Sequence, residues 1–295
     1  MTIPLDSLAK QINPEKTILL FGAGASIPSG APSVSSIVSD LASALGISSE
    51  GYSFADFCSL FELHRNRREM VNIVRNRLKN LRPSGGLVNL PDSSWRSIFT
   101  TNYDDLIEKC YLKKNRTIKV FSSNFDFDGS TPPDAVPIFK LHGTVDLDVV
   151  DGHNSRMVLT AEDNDLVEEY REKLYDRLKG DLADSDIVII GHSLSDPDIR
   201  AITQRALKIK KESRSSQNIF LLIYSRDENR ALLFENQGLR IAFGGVDDFF
   251  LEMAKSASGA VEQHNGGNLL SRYATLTPTT SDISDEASKP STHFD

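Results

Sequence analysis

Four short stretches of this chain gather residue types that can hold a nucleotide and move a proton. The first is Gly22-Ala23-Gly24-Ala25-Ser26, which closes the apolar run Thr17-Ile-Leu-Leu-Phe21. Glycine has no Cβ, so Gly22 and Gly24 can take positive φ and let backbone N–H groups approach a pyrophosphate, which makes a nucleotide the natural occupant. The third glycine of a G-x-G-x-x-G turn is missing, with Ile27 in its place, and a tight strand-to-helix turn also uses glycine for packing alone. The second stretch is Thr100-Thr-Asn-Tyr-Asp104. Asn102 and Asp104 stand two apart, so an extended segment points both the same way; they read either as ligand contacts past a strand end or as ordinary helix N-caps. The third is Lys140-Leu-His-Gly143, whose His142 is either a general base working near neutral pH or a hydrogen-bonded structural residue. The fourth is Gly191-His-Ser-Leu-Ser-Asp-Pro-Asp198, a glycine followed by hydroxyl and carboxylate groups ahead of a helix.

Each stretch follows an apolar run with the composition of a buried strand: 17–21, 95–100, 136–141 and 187–190. Further short strands are expected over 117–121, 220–225 and 239–243, alternating with helices over roughly 31–46, 105–113, 165–179, 231–234 and 246–254. That alternation predicts an α/β fold, a doubly wound, Rossmann-like parallel sheet, with ligands at the carboxyl ends of its strands. Residues from Met1 to about Lys16 read as an amphipathic lead-in covering the sheet edge or a helix face. From about 48 to 92 the pattern is helical only, a helical insertion that is the most basic part of the chain, with His64, Arg65, Arg67, Arg68, Arg75, Arg77, Lys79 and Arg82. Its cations form a solvated helix face or a contact with a partner or nucleic acid. The folded domain is expected over 1–255; residues 256–295, rich in Ser and Thr, are expected to be a disordered tail or the start of a linker.

The 295 residues carry a net charge of −8, which argues against a dedicated nucleic-acid surface. The two cysteines, Cys58 and Cys110, cannot supply a four-thiolate zinc site and read as reduced thiols of a cytosolic protein. No apolar run reaches the roughly 18–20 residues of a membrane span, and the N-terminus lacks the layout of a signal peptide, so the expected location is the cytoplasm.

Taken in order, the four stretches resemble the sirtuin-like superfamily, and most closely its bacterial antiphage-defence branch, in which the domain consumes NAD. The resemblance covers residues 15–255. It implies that Gly22, Ala23, Gly24 and Ser26 hold the NAD pyrophosphate, that Asn102 and Asp104 lie beside nicotinamide and its ribose, that His142 is the catalytic histidine, and that Gly191 and Ser193 contact the adenosine side. Thr101 stands where the family carries a glutamine before the asparagine. Deacylating sirtuins carry a four-cysteine zinc module after the histidine; this chain has no cysteine after Cys110, so no zinc is expected and water is favoured over an acyl-lysine as nucleophile.

The implied function is NAD+ hydrolysis to nicotinamide and ADP-ribose by a regulated, NAD-depleting antiphage effector. The alternatives are an NAD-dependent deacylase or ADP-ribosyltransferase, and a nucleotide-binding sensor or scaffold with little turnover. Because unrestrained NAD loss would kill its host, the resemblance also implies homo-oligomerisation or an activating partner: an Argonaute-like protein, a translocase ATPase or a sensor.

Overall fold

In the computed structural model, residues 2–148, 156–213 and 216–258 are described. The elements below lie in the unit Met1–Ser256, apart from the end of the last helix. The segment expected as a tail lies, beyond residue 258, outside the described residues.

The lead-in forms helix α1 (Leu5–Gln11), which buries Leu8 and Ala9. Ahead of it, the Ile3 N–H donates to the Ile241 carbonyl at 2.7 Å, so the lead-in does cover a sheet edge. Strand β1 (Thr17–Phe21) is buried throughout. Its side chains alternate between two cores: Ile18 and Leu20 pack on one face of the sheet, Leu19 and Phe21 on the other. Burial of such aliphatic side chains contributes about 1.5–3 kcal/mol each, which makes this central strand the anchor of the fold. Two single 3-10 turns, Ala23–Ala25 and Ile27–Ser29, lead to α2 (Val34–Leu45), capped at its start by Ser33 and ended by Gly46 in the left-handed region.

Helices α3 (Phe54–His64) and α4 (Arg67–Leu78) follow, capped by the side chains of Ser53 and Asn66. Phe57, Phe61, Met70, Val71 and Val74 form a third core with Ile37 and Leu41 of α2 and with Val145, Met157 and Leu159. The remaining elements are β2 (Ser97–Thr100), α5 (Leu106–Lys113), β3 (Ile118–Phe121), β4 (Val136–Lys140), α6 (Ala161–Asp165), α7 (Val167–Asp184), β5 (Asp186–Ile190), α8 (Pro197–Glu212), β6 (Ile219–Ile223), α9 (Glu228–Asn236), β7 (Arg240–Phe243) and α10, helical from residue 246. The charged helix expected over about 165–179 is α7; ahead of it Thr160 and Asp163 form a capping box that starts the extra short helix α6, and the chain breaks at Leu166 between the two.

Among the described residues the sheet has seven strands in the order β3-β4-β2-β1-β5-β6-β7. All neighbouring pairs are parallel. The chain moves outward from β1 through β2 on one side and later resumes from β5 on the other. The crevice between the carboxyl ends of β1 and β5 is therefore the topological switch point of the sheet, where open α/β folds bind ligands.

Candidate functional site

At the switch point two glycine turns cross in direct backbone contact. Neither Gly22, at φ −117°, nor Gly24 takes the positive φ expected from the sequence. Their lack of a side chain serves close approach instead. A Cβ on Gly22 would lie 2.7 Å from the Gly191 carbonyl oxygen, and one on Gly24 would lie 2.9 Å from Gly191 Cα. Gly191 is the residue with positive φ, at +67°. The turn N–H groups are also engaged internally: Gly22 N–H donates to the Ile190 carbonyl (3.0 Å), Gly24 N–H to Gly191 (2.9 Å), Ala25 N–H to Gly22 (2.9 Å) and Ser26 N–H to Ala23 (3.1 Å). A β-branched residue at 24 would thus unseat this crossing rather than probe for a phosphate.

The hydroxyl of Ser26 ties the Gly22 turn to the Asn102–Asp104 segment. Ser26 Oγ, 3% exposed, donates to Asp104 Oδ2 at 2.8 Å and accepts from Asn102 Nδ2 at 2.9 Å. Asn102 Nδ2 also donates to the Gly22 carbonyl at 3.1 Å. Asn102 and Asp104 therefore do point the same way, as their two-residue spacing requires. Asp104 Oδ1 also receives the Leu106 N–H at 3.1 Å, but the N-cap of α5 is Asp105, so neither Asn102 nor Asp104 is the helix cap that the sequence offered as an alternative. With its amide nitrogen held twice, the Asn102 side chain is fixed in orientation. Its Oδ1 is buried and has no hydrogen-bond partner among the described residues. Such an acceptor costs about 1–3 kcal/mol until a donor reaches it. Thr101 lies alongside, its N–H on the Phe21 carbonyl at 3.1 Å.

His142 sits two residues past the end of β4, in a turn closed by the Gly143 N–H on the Lys140 carbonyl (3.0 Å). Its Nε2 lies 3.1 Å from Asp196 Oδ2, the two side chains being 13% and 17% exposed. Asp196 is the N-cap of α8, and its other oxygen accepts the Ile199 N–H at 2.9 Å. Burial raises the Asp196 pKa, but the hydrogen bond and charge of His142 outweigh it and hold the carboxyl at about 2. An ionised carboxylate facing Nε2 fixes the proton there and leaves Nδ1 as the accepting nitrogen. Sequence reasoning singled out His142 without Asp196; the D-P-D sequence opening α8 is a helix start that carried the signal.

Gly191 and Ser193 lie on the facing turn. Ser193 Oγ is exposed and 2.7 Å from Ser195 Oγ. Between them His192 accepts the Leu194 N–H on Nδ1 at 2.9 Å, and Leu194 is a non-glycine residue at φ +56°. Burial brings the His192 pKa down to about 4, opposed by Asp196 and reinforced by His142. Because the folded pKa lies below the ordinary 6.5, the contribution of His192 to stability is complete above pH 6.5. It falls as pH drops and is gone near pH 4. On this basis, lowering the pH from 7 to 4 is expected to cost the parent on the order of 3 kcal/mol more than it costs His192→Asn, whose amide oxygen can take the Leu194 N–H. Asp196 titrates below this window. Urea midpoints across that pH range check the expectation; parallel profiles would defeat it.

The inserted helices reach the same site from behind. Arg67 of α4 donates to both carboxylate oxygens of Asp148 (3.2 and 2.7 Å), to Asp163 Oδ2 (2.9 Å) and to the Met157 carbonyl (2.8 Å). Arg75 donates to the Val145 carbonyl at 2.7 Å. The next residue after Met157, Val158, donates its N–H to the His142 carbonyl at 3.1 Å. Two of the cations expected on a solvated or partner-binding face are thus turned inward. Cys58 and Cys110 are buried free thiols, each pushed up to about 12 by burial. Among the described residues no cluster of three or more His, Cys, Asp or Glu is arranged to hold a metal, and no helix is long and apolar enough to cross a membrane. A cavity of about 610 Å³ lined by Trp95, Arg96, Arg116 and Pro137 opens near the starts of β2, β3 and β4, and none of the expected site residues lines it.

Residues 96–242 match the family model of the SIR2-like domain, and with them come Asn102, Asp104, His142 and the turn at Gly191. The chain belongs to the SIR2-like family. This SIR2-like chain is 27% identical to an NAD(+) hydrolase ThsA of Cytobacillus dafuensis over 66% of its own length and 39% of that protein. It is 31% identical to Defense-associated sirtuin 2 of Bacillus subtilis over 49% of its length and 14% of the relative. To the NAD(+) hydrolase ThsA of Acinetobacter baumannii it is 25% identical, over 77% of its length and 48% of the relative. The SIR2-like chain thus spans less than half the length of these curated relatives.

Proposed function

We propose that the chain hydrolyses NAD+ at the bond between nicotinamide and ribose, and that it serves as a regulated NAD-depleting effector in bacterial antiphage defence. The observation that carries this reading is the buried, unpartnered Oδ1 of Asn102, held rigid by Gly22 and Ser26 at the switch point where the His142–Asp196 pair also ends. A fixed acceptor suits a ribose hydroxyl or a water molecule, either of which supplies the missing donor. The names of the ThsA relatives support NAD as the substrate.

In the proposed reaction the bond from ribose C1′ to the pyridinium nitrogen breaks, and its electron pair neutralises the departing nicotinamide. Positive charge develops on the ribose, with the carboxylate of Asp104 stabilising it or orienting nicotinamide. Asn102 Oδ1 orients the ribose and the attacking water. Water oxygen bonds to C1′, and its proton passes to Nδ1 of His142 and on to solvent. Asp196 keeps the histidine in the accepting tautomer. Gly22, Ala23, Gly24 and Ser26 shape the crevice for the diphosphate, with Thr101, Gly191 and Ser193 around the rest of the dinucleotide. No zinc takes part in this scheme, the site lies in the cytoplasm, and turnover is restrained at rest and released by homo-oligomerisation or an activating partner.

Incubating the protein with NAD and separating the products tests the reading. Nicotinamide and free ADP-ribose in equal amounts without added peptide are expected. Turnover that requires an acylated peptide, ADP-ribose attached to protein, or binding with no turnover in the activated assembly would each replace this reading with one of its alternatives.

A further inference from the structure

The reacting centre proposed above rests on a buried ammonium that its chemistry does not use. Lys140, the last residue of β4, is 1% exposed. In the sheet it pairs with Thr100, the last residue of β2, so its side chain is placed beneath the turn that carries Asn102 and Asp104. Its Nζ donates to the Asp104 carbonyl oxygen and, at 2.8 Å, to Glu108 Oε1 on the first turn of α5. Glu108 Oε2 is buried without a partner among the described residues. The same turn is tied to the chain around His142 by the Leu141 N–H on the Thr100 carbonyl (2.9 Å) and the Val145 N–H on the Tyr103 carbonyl (3.1 Å).

Burying an ammonium and a carboxylate together costs desolvation that their attraction only partly offsets, so such a pair is weak evidence for stability as its purpose. What the pair does achieve is geometric. Asp104 is gripped from above through its carboxylate by Ser26, and from below through its carbonyl by Lys140, a residue on the strand that delivers His142. We infer that Lys140 is a positioning residue for the reacting centre: its ammonium, neutralised by Glu108, sets the Asn102–Asp104 turn at its working distance from His142.

The experiment compares Lys140→Met/Glu108→Leu with Glu108→Gln. The double variant removes the ion pair as a unit, an exchange that is often neutral for stability, so its thermal midpoint is expected near that of the parent. Its kcat is expected to fall about 100-fold, the order of effect of an ångström-scale misplacement, with KM little changed. Glu108→Gln keeps an acceptor for Lys140 and so keeps the grip on Asp104, but it strands the ammonium without its counter-charge; its thermal midpoint is expected to fall while the kcat of the folded protein stays close to the parental value. Parental kcat in the double variant, or equal losses in the two, would overturn the inference. If the double variant fails to fold, Lys140→Met alone takes its place against the same control.

Because the kinetic readout depends on the NAD-hydrolase reading, crystal structures of the variant and the parent form a second arm. Loss of the 2.8 Å bond between Ser26 Oγ and Asp104 Oδ2 is expected in the variant. An unmoved turn overturns the positioning role, whereas absence of NAD turnover in the parent counts only against the functional reading.

Discussion

Replacing His142 by alanine is expected to lower the rate of NAD cleavage by about 10²–10⁴-fold, the share that a positioned general base supplies. The variant also strands Asp196, whose low pKa depends on its contact with His142. A stability loss of about 1–3 kcal/mol should accompany the kinetic loss. The two effects separate cleanly, because a few degrees in the thermal midpoint leave the protein folded at the assay temperature. Restraint of the resting protein is removed from the comparison by measuring NAD in cells that produce the activated assembly. Full NAD depletion by His142→Ala in those cells would take the histidine out of the mechanism.

Asp196→Asn is the sharper variant, since it preserves shape. The amide oxygen can still accept the Ile199 N–H and cap α8, so the fold should persist. The amide nitrogen, however, faces His142 Nε2 where a carboxylate oxygen stood. It donates to Nε2 and drives the imidazole proton onto Nδ1, the nitrogen that accepts a proton from water in the proposed mechanism. The kcat is expected to fall by about 10²–10⁴-fold with little change in the thermal midpoint. Above pH 4 the parent carboxylate is ionised, so its titration contributes nothing to the rate profile over the physiological range. Parental kcat in this variant would reduce the pair to a structural contact.

Much of the fold is legible in the sequence because parallel strands buried on both faces leave continuous apolar runs, as at Ile18 to Phe21 and Ile187 to Ile190. The same-side placement of Asn102 and Asp104 is legible for a similar reason, since it follows from local backbone geometry. What remains hidden is long-range pairing. The glycines at 22 and 24 announce a tight turn, but only the folded chain shows that the turn is tight against Gly191. Asp196 stands among the carboxylates ahead of a helix and one of its oxygens does cap α8; its other oxygen answers to His142, in the turn after a strand distant in sequence. Arg67 and Arg75 look like members of a solvated charge run, and their inward direction depends on the loop that α4 meets. Lys140 opens the third motif stretch, but nothing local announces that its ammonium meets Glu108 of α5.

The placement of β5 beside β1 also governs how the chain is made. Thr17 pairs with Asp186, so the central strand waits for most of the domain to be synthesised before its second edge is covered. At about 5–20 residues per second on the ribosome, that interval is roughly 10–30 s. Throughout it, one flank of β1 exposes unpaired backbone and the Gly22 turn lacks the Gly191 turn on which it rests. A nascent or prematurely terminated chain ending before β5 therefore lacks both the Gly191 turn and Asp196, the carboxylate that His142 contacts in the folded chain. On the proposed reading, the reacting centre is complete only once β5 has closed the sheet beside β1.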